Sequence, residues 1–108
     1  MCEDCFPDNL PDKIRESYRR RKWEFTMDGE TKGKIGHVIL HEHVHKRKRF
    51  WKGVERLQFY DDHRIEYRFM YFARRKKDKE WTWGQFCPML PSELLKEILS
   101  EMRKHNWL

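Results

Sequence analysis

Long apolar runs are missing from this chain: 38% of its 108 residues are apolar and 39% are charged. No stretch approaches the roughly 20 apolar residues that a transmembrane helix needs. The residues after Met1 are acidic and are not followed by the apolar segment of a secretory signal. We therefore expect a cytoplasmic protein that has no membrane partner.

Cysteine and glycine are also scarce, with three and five residues respectively. An odd number of cysteines without a secretory signal favours reduced thiols. Cys2 and Cys5 have the spacing of half a zinc knuckle, but only Cys87 or a histidine could complete it. No phosphate-binding glycine loop, dinucleotide fingerprint or Ser-His-Asp order occurs. These absences favour a protein that is not an enzyme and has no cofactor.

Aromatic residues are abundant, at 15% of the chain, with five Trp, seven Phe and four Tyr. Large rings bury much apolar area per residue, so they argue against the disorder that a highly charged composition would otherwise indicate. The net charge of +6 favours a polyanionic partner. We expect a small core built on rings inside a strongly charged surface.

The stretch 64–86 predicts a central hairpin. Ile65, Tyr67, Phe69 and Tyr71 alternate with charged residues and Met70, which are expected to be exposed; this is typical of a strand with one buried face. Short turns before and after this hairpin predict an antiparallel meander. Gly53 is expected to mark a bulge or a turn.

The predicted fold is one α+β domain over residues 1–108, with a five-stranded antiparallel meander sheet. The C-terminal amphipathic helix is expected to cover one face of the sheet and to leave the other face partly open. The predicted segments are a flexible tail at 1–8, a short helix at 9–22, the sheet at 23–87 and the C-terminal helix at 91–106.

Three runs of four cations hold half of the 24 lysines and arginines. Alternate turns of a meander lie at opposite ends of the sheet, so these runs are expected to gather at one end. The runs are Arg19, Arg20, Arg21 and Lys22; Lys46, Arg47, Lys48 and Arg49; and Arg74, Arg75, Lys76 and Lys77. The opposite end is expected to be acidic and to hold Asp28, Glu30, Asp61, Asp62 and the start of the last helix.

Clustered cations with nearby aromatic rings predict a protein that binds nucleic acid, either DNA or RNA. Cations neutralise phosphates, and rings on an open sheet face stack unpaired bases. Trp51, Trp81 and Trp83 are the candidate stacking residues. The competing interpretation is that the basic turns only protect sheet edges and that the rings fill the core.

The histidine stretch offers a zinc-dependent hydrolase as an alternative. His41, Glu42 and His45 match H-E-x-x-H, in which two histidines bind zinc from one helical face and the glutamate is the general base. On a strand, His41, His43 and His45 would instead share one face and could bind a metal there. Mediocre helix formers and flanking glycines favour the strand, and with it an exposed histidine stripe without metal.

A third interpretation is a protein-interaction module without a nucleic-acid role. The first strand or the stretch 81–86 would leave an open sheet edge, which can pair with another strand. A homodimer is the commonest outcome of such pairing.

Overall fold

The protein is described by a computed structural model over residues 5–75, 80–84 and 89–108, with Arg75 described by its backbone alone. The described residues form two helices and five strands. In chain order these are α1 (Asp12–Arg20), β1 (Glu24–Met27), β2 (Thr31–His45), β3 (Lys48–Phe59), β4 (Ile65–Arg75), β5 (Thr82–Gly84) and α2 (Ser92–Lys104).

The strands form one antiparallel sheet in the order β1-β2-β3-β4-β5, curled as a half-barrel. The predicted α+β meander is therefore confirmed. The turn before β2 has positive φ at Asp28 and Gly29, as the Asp-Gly pair indicates. The pairing of β2 with β3 shifts between Ile35 and His37, so the bulge lies at Gly36 and not at Gly53, where it was expected. Gly53 is instead paired in the middle of β3.

Helix α1 packs on one face of the sheet, here called the α1 face. Leu10, Ile14 and Tyr18 recur every fourth residue and are all buried there. Asp12 in the first turn and the arginines of the last turn suit the helix dipole. The larger core lies on this face, so the expectation of a partly open second face is corrected: α1 covers much of it.

The segment before α1 is packed, which corrects the predicted flexible tail for residues 5–8. Phe6 is buried, and its ring stacks on Trp23 with centroids 5.3 Å apart. Arg15 donates to the carbonyl of Pro7 at 2.7 Å, which ties this segment to α1. Phe6 therefore belongs to the hydrophobic core, and the segment around Phe6 and Pro7 is not a tail. Residues 1–4, with Cys2, lie outside the described residues.

Helix α2 packs on the other face, here called the α2 face. Leu94, Ile98 and Met102 are buried against Ile39 and Val54, as the apolar stripe predicts.

The start of α2 was expected at the acidic end of the sheet, and this expectation is wrong. Lys52, in the middle of β3, donates from Nζ to the carbonyl of Met89, and burial lowers the pKa of Lys52. At the far end of α2, the His105 ring lies 4.6 Å from that of His37. Lys52, which marks the start of α2, pairs with His41 in β2. His37, which marks the end of α2, lies nearer to the acidic end of the sheet than His41 does. Helix α2 therefore runs towards the acidic end.

Strand β4 buries both of its faces to different extents. The residues expected to be buried, such as Tyr67 and Phe69, are half-buried beneath α2. The residues expected to be exposed include Met70, which is fully buried on the α1 face, as is its neighbour Phe72. The prediction that β4 buries one face only is therefore wrong. Because a helix packs on each face of the sheet, both faces of β4 carry buried or half-buried residues.

Neither helix in the part of the chain that the structure describes is long and apolar enough to cross a membrane.

Candidate nucleic-acid interface

Two of the three basic runs meet at one end of the sheet. Lys48 of β3 pairs with Arg75 of β4, and Arg49 pairs with Arg74. The β2–β3 turn adds Lys46 and Arg47, which are exposed. We call Lys46–Arg49 with Arg74 the basic end. Asp28, Glu30, Asp61 and Asp62 lie in the turns at the opposite end, where Gly33 pairs with Phe59. Lys76 and Lys77 lie outside the described residues.

The third run, Arg19–Lys22, does not reach the basic end through the sheet, which corrects the route expected for it; Arg20 and Arg21 instead approach Trp81 and Trp83 from α1 and the residue after it. Strand β1 has only four residues, and its first residue, Glu24, pairs with Lys34. Lys34 and His45 are eleven positions apart in β2, about 36 Å along an extended strand. Strand β1 would have to be about as long as β2 to begin at the basic end. Lys22 lies instead in a groove with Lys34 and Arg56.

Trp81, just before β5, is held between the basic end and α1. Its ring centroid lies 5.2 Å from the Arg74 guanidinium and 5.9 Å from that of Arg49, within the range of cation–π attraction. Trp81 also lines a groove with Arg20 of α1. The ring is half-buried, so part of it faces solvent.

Trp83, two residues further on, has a similar environment. Its ring centroid lies 4.7 Å from the Arg68 guanidinium and 6.0 Å from that of Arg21. Trp83 faces the same side of the sheet as Phe72, its partner in β4. Like Trp81, it is half-buried. The two tryptophans and the nearby arginines other than Arg68, which is bound to Glu55, are here called the tryptophan edge: Trp81, Trp83, Arg20, Arg21, Arg49 and Arg74.

Trp51 does not belong to this surface, and the prediction that it stacks bases is wrong. It is 2% exposed and packs in the core on the α1 face. It lies in the middle of the sheet between β2 and β4, where α1 and the neighbouring strands cover it.

A buried ionic network that the sequence analysis missed supports the tryptophan edge. Glu55 is fully buried; its Oε2 accepts from the Tyr18 hydroxyl at 2.6 Å, and its Oε1 accepts from Arg68 Nε at 2.9 Å and Nη2 at 2.6 Å. Burial, followed by the Glu55 charge, raises the pKa of Tyr18 well above its usual value, so the hydroxyl stays a donor. The network fixes the guanidinium that lies against Trp83.

The histidine stretch does not form the arrangement of a zinc peptidase. Residues 31–45 are a strand, so Glu42 lies on the α1 face with its partner Trp51, whereas His41 and His45 lie on the α2 face. Glu42 is bound to Arg49 at 2.7 Å. The geometry of H-E-x-x-H is therefore absent because helical spacing is required to place both histidines together.

His41 contacts carboxylates of α2 rather than the other histidines. Its Nδ1 lies 3.3 Å from Glu97 Oε2, and its Nε2 lies 2.6 Å from Glu101 Oε1. Across residues 5–75, 80–84 and 89–108, no three His, Cys, Asp or Glu side chains converge as a metal site. Cys87 lies outside these ranges.

The histidines of the α2 face predict a loss of stability in mild acid. Burial, then the nearby His105, lowers the pKa of His37 below 6.5; burial, then Lys52, does the same for His43. Below pH 6.5 the unfolded chain therefore binds more protons than the folded protein, and the free energy of unfolding falls with the pH. We expect the midpoint of urea unfolding to decrease from about pH 7.5 to about pH 5.5.

A double variant separates these histidines from other titrating groups. His37→Gln with His43→Gln should show a smaller decrease between the same two pH values. An equal decrease in the double variant would contradict the role given to His37 and His43.

No protein family, curated protein or solved structure was found to match this chain. The geometry of the described residues therefore carries the functional argument alone.

Proposed function

We propose that this protein binds single-stranded nucleic acid along the tryptophan edge. The observation that carries the proposal is that two half-buried rings, Trp81 just before the edge strand β5 and Trp83 within it, each have two guanidinium groups within 6.0 Å. Rings flanked by cations combine base stacking with phosphate neutralisation.

The spacing of the two rings favours an unpaired strand. Residues two apart on a strand are separated by about 6.7 Å. This is about twice the 3.4 Å rise between bases stacked in a duplex strand. Bases that stack on both tryptophans must therefore be drawn apart, which an unpaired strand allows and a duplex resists.

The charge distribution supports the same partner. The basic end continues the tryptophan edge with Lys46, Arg47 and Lys48, which are exposed and free to follow a phosphate backbone. The acidic turns lie at the other end of the sheet, so a polyanion is attracted to one end and repelled from the other.

The binding test is a fluorescence-anisotropy titration of labelled single-stranded and duplex oligonucleotides. We expect Trp81→Ala and Trp83→Ala each to weaken single-strand binding by about 1–3 kcal/mol, because each removes one stacking ring. Trp107→Phe is the matched control, since Trp107 packs against Tyr67 on the α2 face. Unchanged affinity in both alanine variants, or tighter binding of the duplex, would contradict the proposal.

The arginines of the basic end are tested by the salt dependence of binding. Arg49→Gln and Arg74→Gln should each reduce the slope of log K against log salt by about 1, because each phosphate contact releases counterions. Arg103→Gln removes one cation from the last turn of α2 and should leave the slope unchanged. Equal slopes for all three variants would show that the salt dependence of binding reflects only the net charge of the protein and not contacts at the basic end.

A further inference from the structure

An open cleft of about 700 Å³ lies where the curled sheet fails to close, between β1 and the strands β4 and β5. One wall is formed by residues 24–28. The facing wall is formed by Arg21, Arg68 and Trp83. Phe25 is buried and Met27 half-buried on the α1 face, so the floor of the cleft is apolar.

Strand β1 is an edge strand whose outer backbone groups face this cleft. Ile35 N donates to Trp23 O, so the pairs bonded to β2 are those of Trp23, Phe25 and Met27. The backbone groups of Glu24 and Thr26 must then point away from β2, and both residues line the cleft. Glu24 N already donates to the Arg21 carbonyl. The cleft is therefore offered the C=O of Glu24 and the N–H and C=O of Thr26, which are the outward groups of an edge strand.

The facing wall carries two donors that find no acceptor among the described residues. They are the buried atoms Arg21 Nη2 and Trp83 Nε1. Within the described ranges no carboxylate forms an ion pair with Arg21. Buried donors are normally satisfied, so an acceptor oxygen from a bound molecule is expected at this wall.

We propose that the cleft binds an extended peptide segment of a partner protein, which adds as a strand to β1 and places an Asp or Glu side chain against Arg21 and Trp83. Main-chain hydrogen bonds to the Thr26 region supply affinity, and the carboxylate supplies specificity. A deoxyribose-phosphate backbone fits less well, because it carries no hydrogen-bond donor along the chain for the outward carbonyls of β1, and an RNA backbone offers only its 2′-hydroxyls. The cleft adjoins the proposed single-strand site and shares Arg21 and Trp83 with it, but its main-chain contacts on β1 lie outside the tryptophan edge.

The test uses a fluorescein-labelled peptide, Thr-Val-Thr-Glu-Val-Thr-Val, in anisotropy titrations without nucleic acid. Two matched peptides replace the Glu by Gln or both neighbouring residues by Pro. We expect each matched peptide to bind at least about tenfold more weakly, because one lacks the charge and the other lacks backbone donors. Absence of saturable binding, or equal binding of all three peptides, would overturn the proposal whether or not any protein variant folds.

Protein variants then locate the site. Thr26→Pro removes an outward N–H of an edge strand without removing a bond to β2, and should weaken peptide binding about tenfold. Arg21→Gln should also weaken binding of the Glu peptide but not of the Gln peptide. Arg103→Gln is the charge control and should change neither.

The oligonucleotide titration separates this proposal from the proposed function. Thr26→Pro should retain single-strand binding, because Thr26 lies outside the tryptophan edge. Loss of oligonucleotide binding in this variant, with peptide binding retained, would assign the cleft to nucleic acid and overturn the peptide proposal. Sedimentation without peptide tests for a dimer. A dimer that Thr26→Pro abolishes would show that the β1 edge pairs with a second copy of the chain, and this would also overturn the peptide proposal.

Discussion

Replacing Glu55 by Ala is expected to destabilise the protein by about 3–5 kcal/mol, because it removes the buried carboxylate that binds both Arg68 and the Tyr18 hydroxyl. Glu55 is fully buried and accepts three hydrogen bonds. A domain of this kind is typically stable by about 5–15 kcal/mol, so the loss approaches the lower end of that range. Urea unfolding followed by tryptophan fluorescence measures it.

A second variant distinguishes an electrostatic cost from a loss of packing. Glu55→Met combined with Arg68→Met removes both charges and keeps the volume similar, so it should be clearly more stable than Glu55→Ala. If the double variant is as unstable as Glu55→Ala, the cost arises from packing and the electrostatic explanation is wrong.

Gly53→Ala is expected to cost about 3 kcal/mol or more, through overpacking at the middle of the sheet. A Cβ atom at Gly53 would collide with the backbone carbonyl of Ile39 and would lie 3.1 Å from the Cα of Leu40. Both neighbours are backbone atoms of β2, which cannot move without disturbing the longest hairpin in the fold. The free energy of unfolding of the purified variant gives the result.

Gly36→Ala is the matched control for Gly53→Ala. The nearest atom to a Cβ at Gly36 is the Arg56 carbonyl oxygen at 4.0 Å, which is an ordinary contact. Gly36 lies in the same hairpin, so both substitutions change the entropy of the unfolded chain alike. A stability of Gly53→Ala equal to that of Gly36→Ala would contradict the close approach of β2 and β3.

The sequence could predict the order of elements because local signals agreed. The Asp28-Gly29 turn, the alternation around Phe25 and the apolar stripe of α2 each indicate one structure only. The stripe of Leu10, Ile14 and Tyr18 likewise predicted α1. These signals do not show how many residues of β1 pair with β2. The position of β1 in the sheet was therefore predicted correctly, but the position of Arg19–Lys22 along the sheet was not.

The faces of β4 were harder to predict, for a physical reason. Alternation shows that neighbouring residues face opposite sides, but it does not show which side is more deeply buried. Both sides of β4 carry large apolar residues, and a helix covers each side. Met70 and Phe72 therefore became the deeply buried residues in place of Tyr67 and Phe69.

The ionic network has a signal in the sequence that was not used. Glu55 shares the parity of Trp51, Leu57 and Phe59 in β3, which are all buried. A charge at a core position of a strand indicates a buried partner, and Arg68 has the matching parity with Met70 in β4. Reading both strands together predicts this pair.

The candidate site was predictable in composition but not in arrangement. Trp81, Trp83 and the arginines of the basic end were all singled out by type and clustering. That Arg68 would also lie against Trp83, and that Trp51 would be covered, follows from register and curvature, which no local pattern encodes.

The central claim, that nucleic acid contacts the two rings near β5, is tested most directly by photo-crosslinking. A single-stranded oligonucleotide carrying bromodeoxyuridine is irradiated with the protein, and the crosslinked residues are identified by mass spectrometry. The account predicts crosslinks at Trp81 and Trp83, which disappear at high salt as binding is lost. Crosslinks confined to α2, or to residues of the α2 face such as Tyr67 and Trp107, would contradict it.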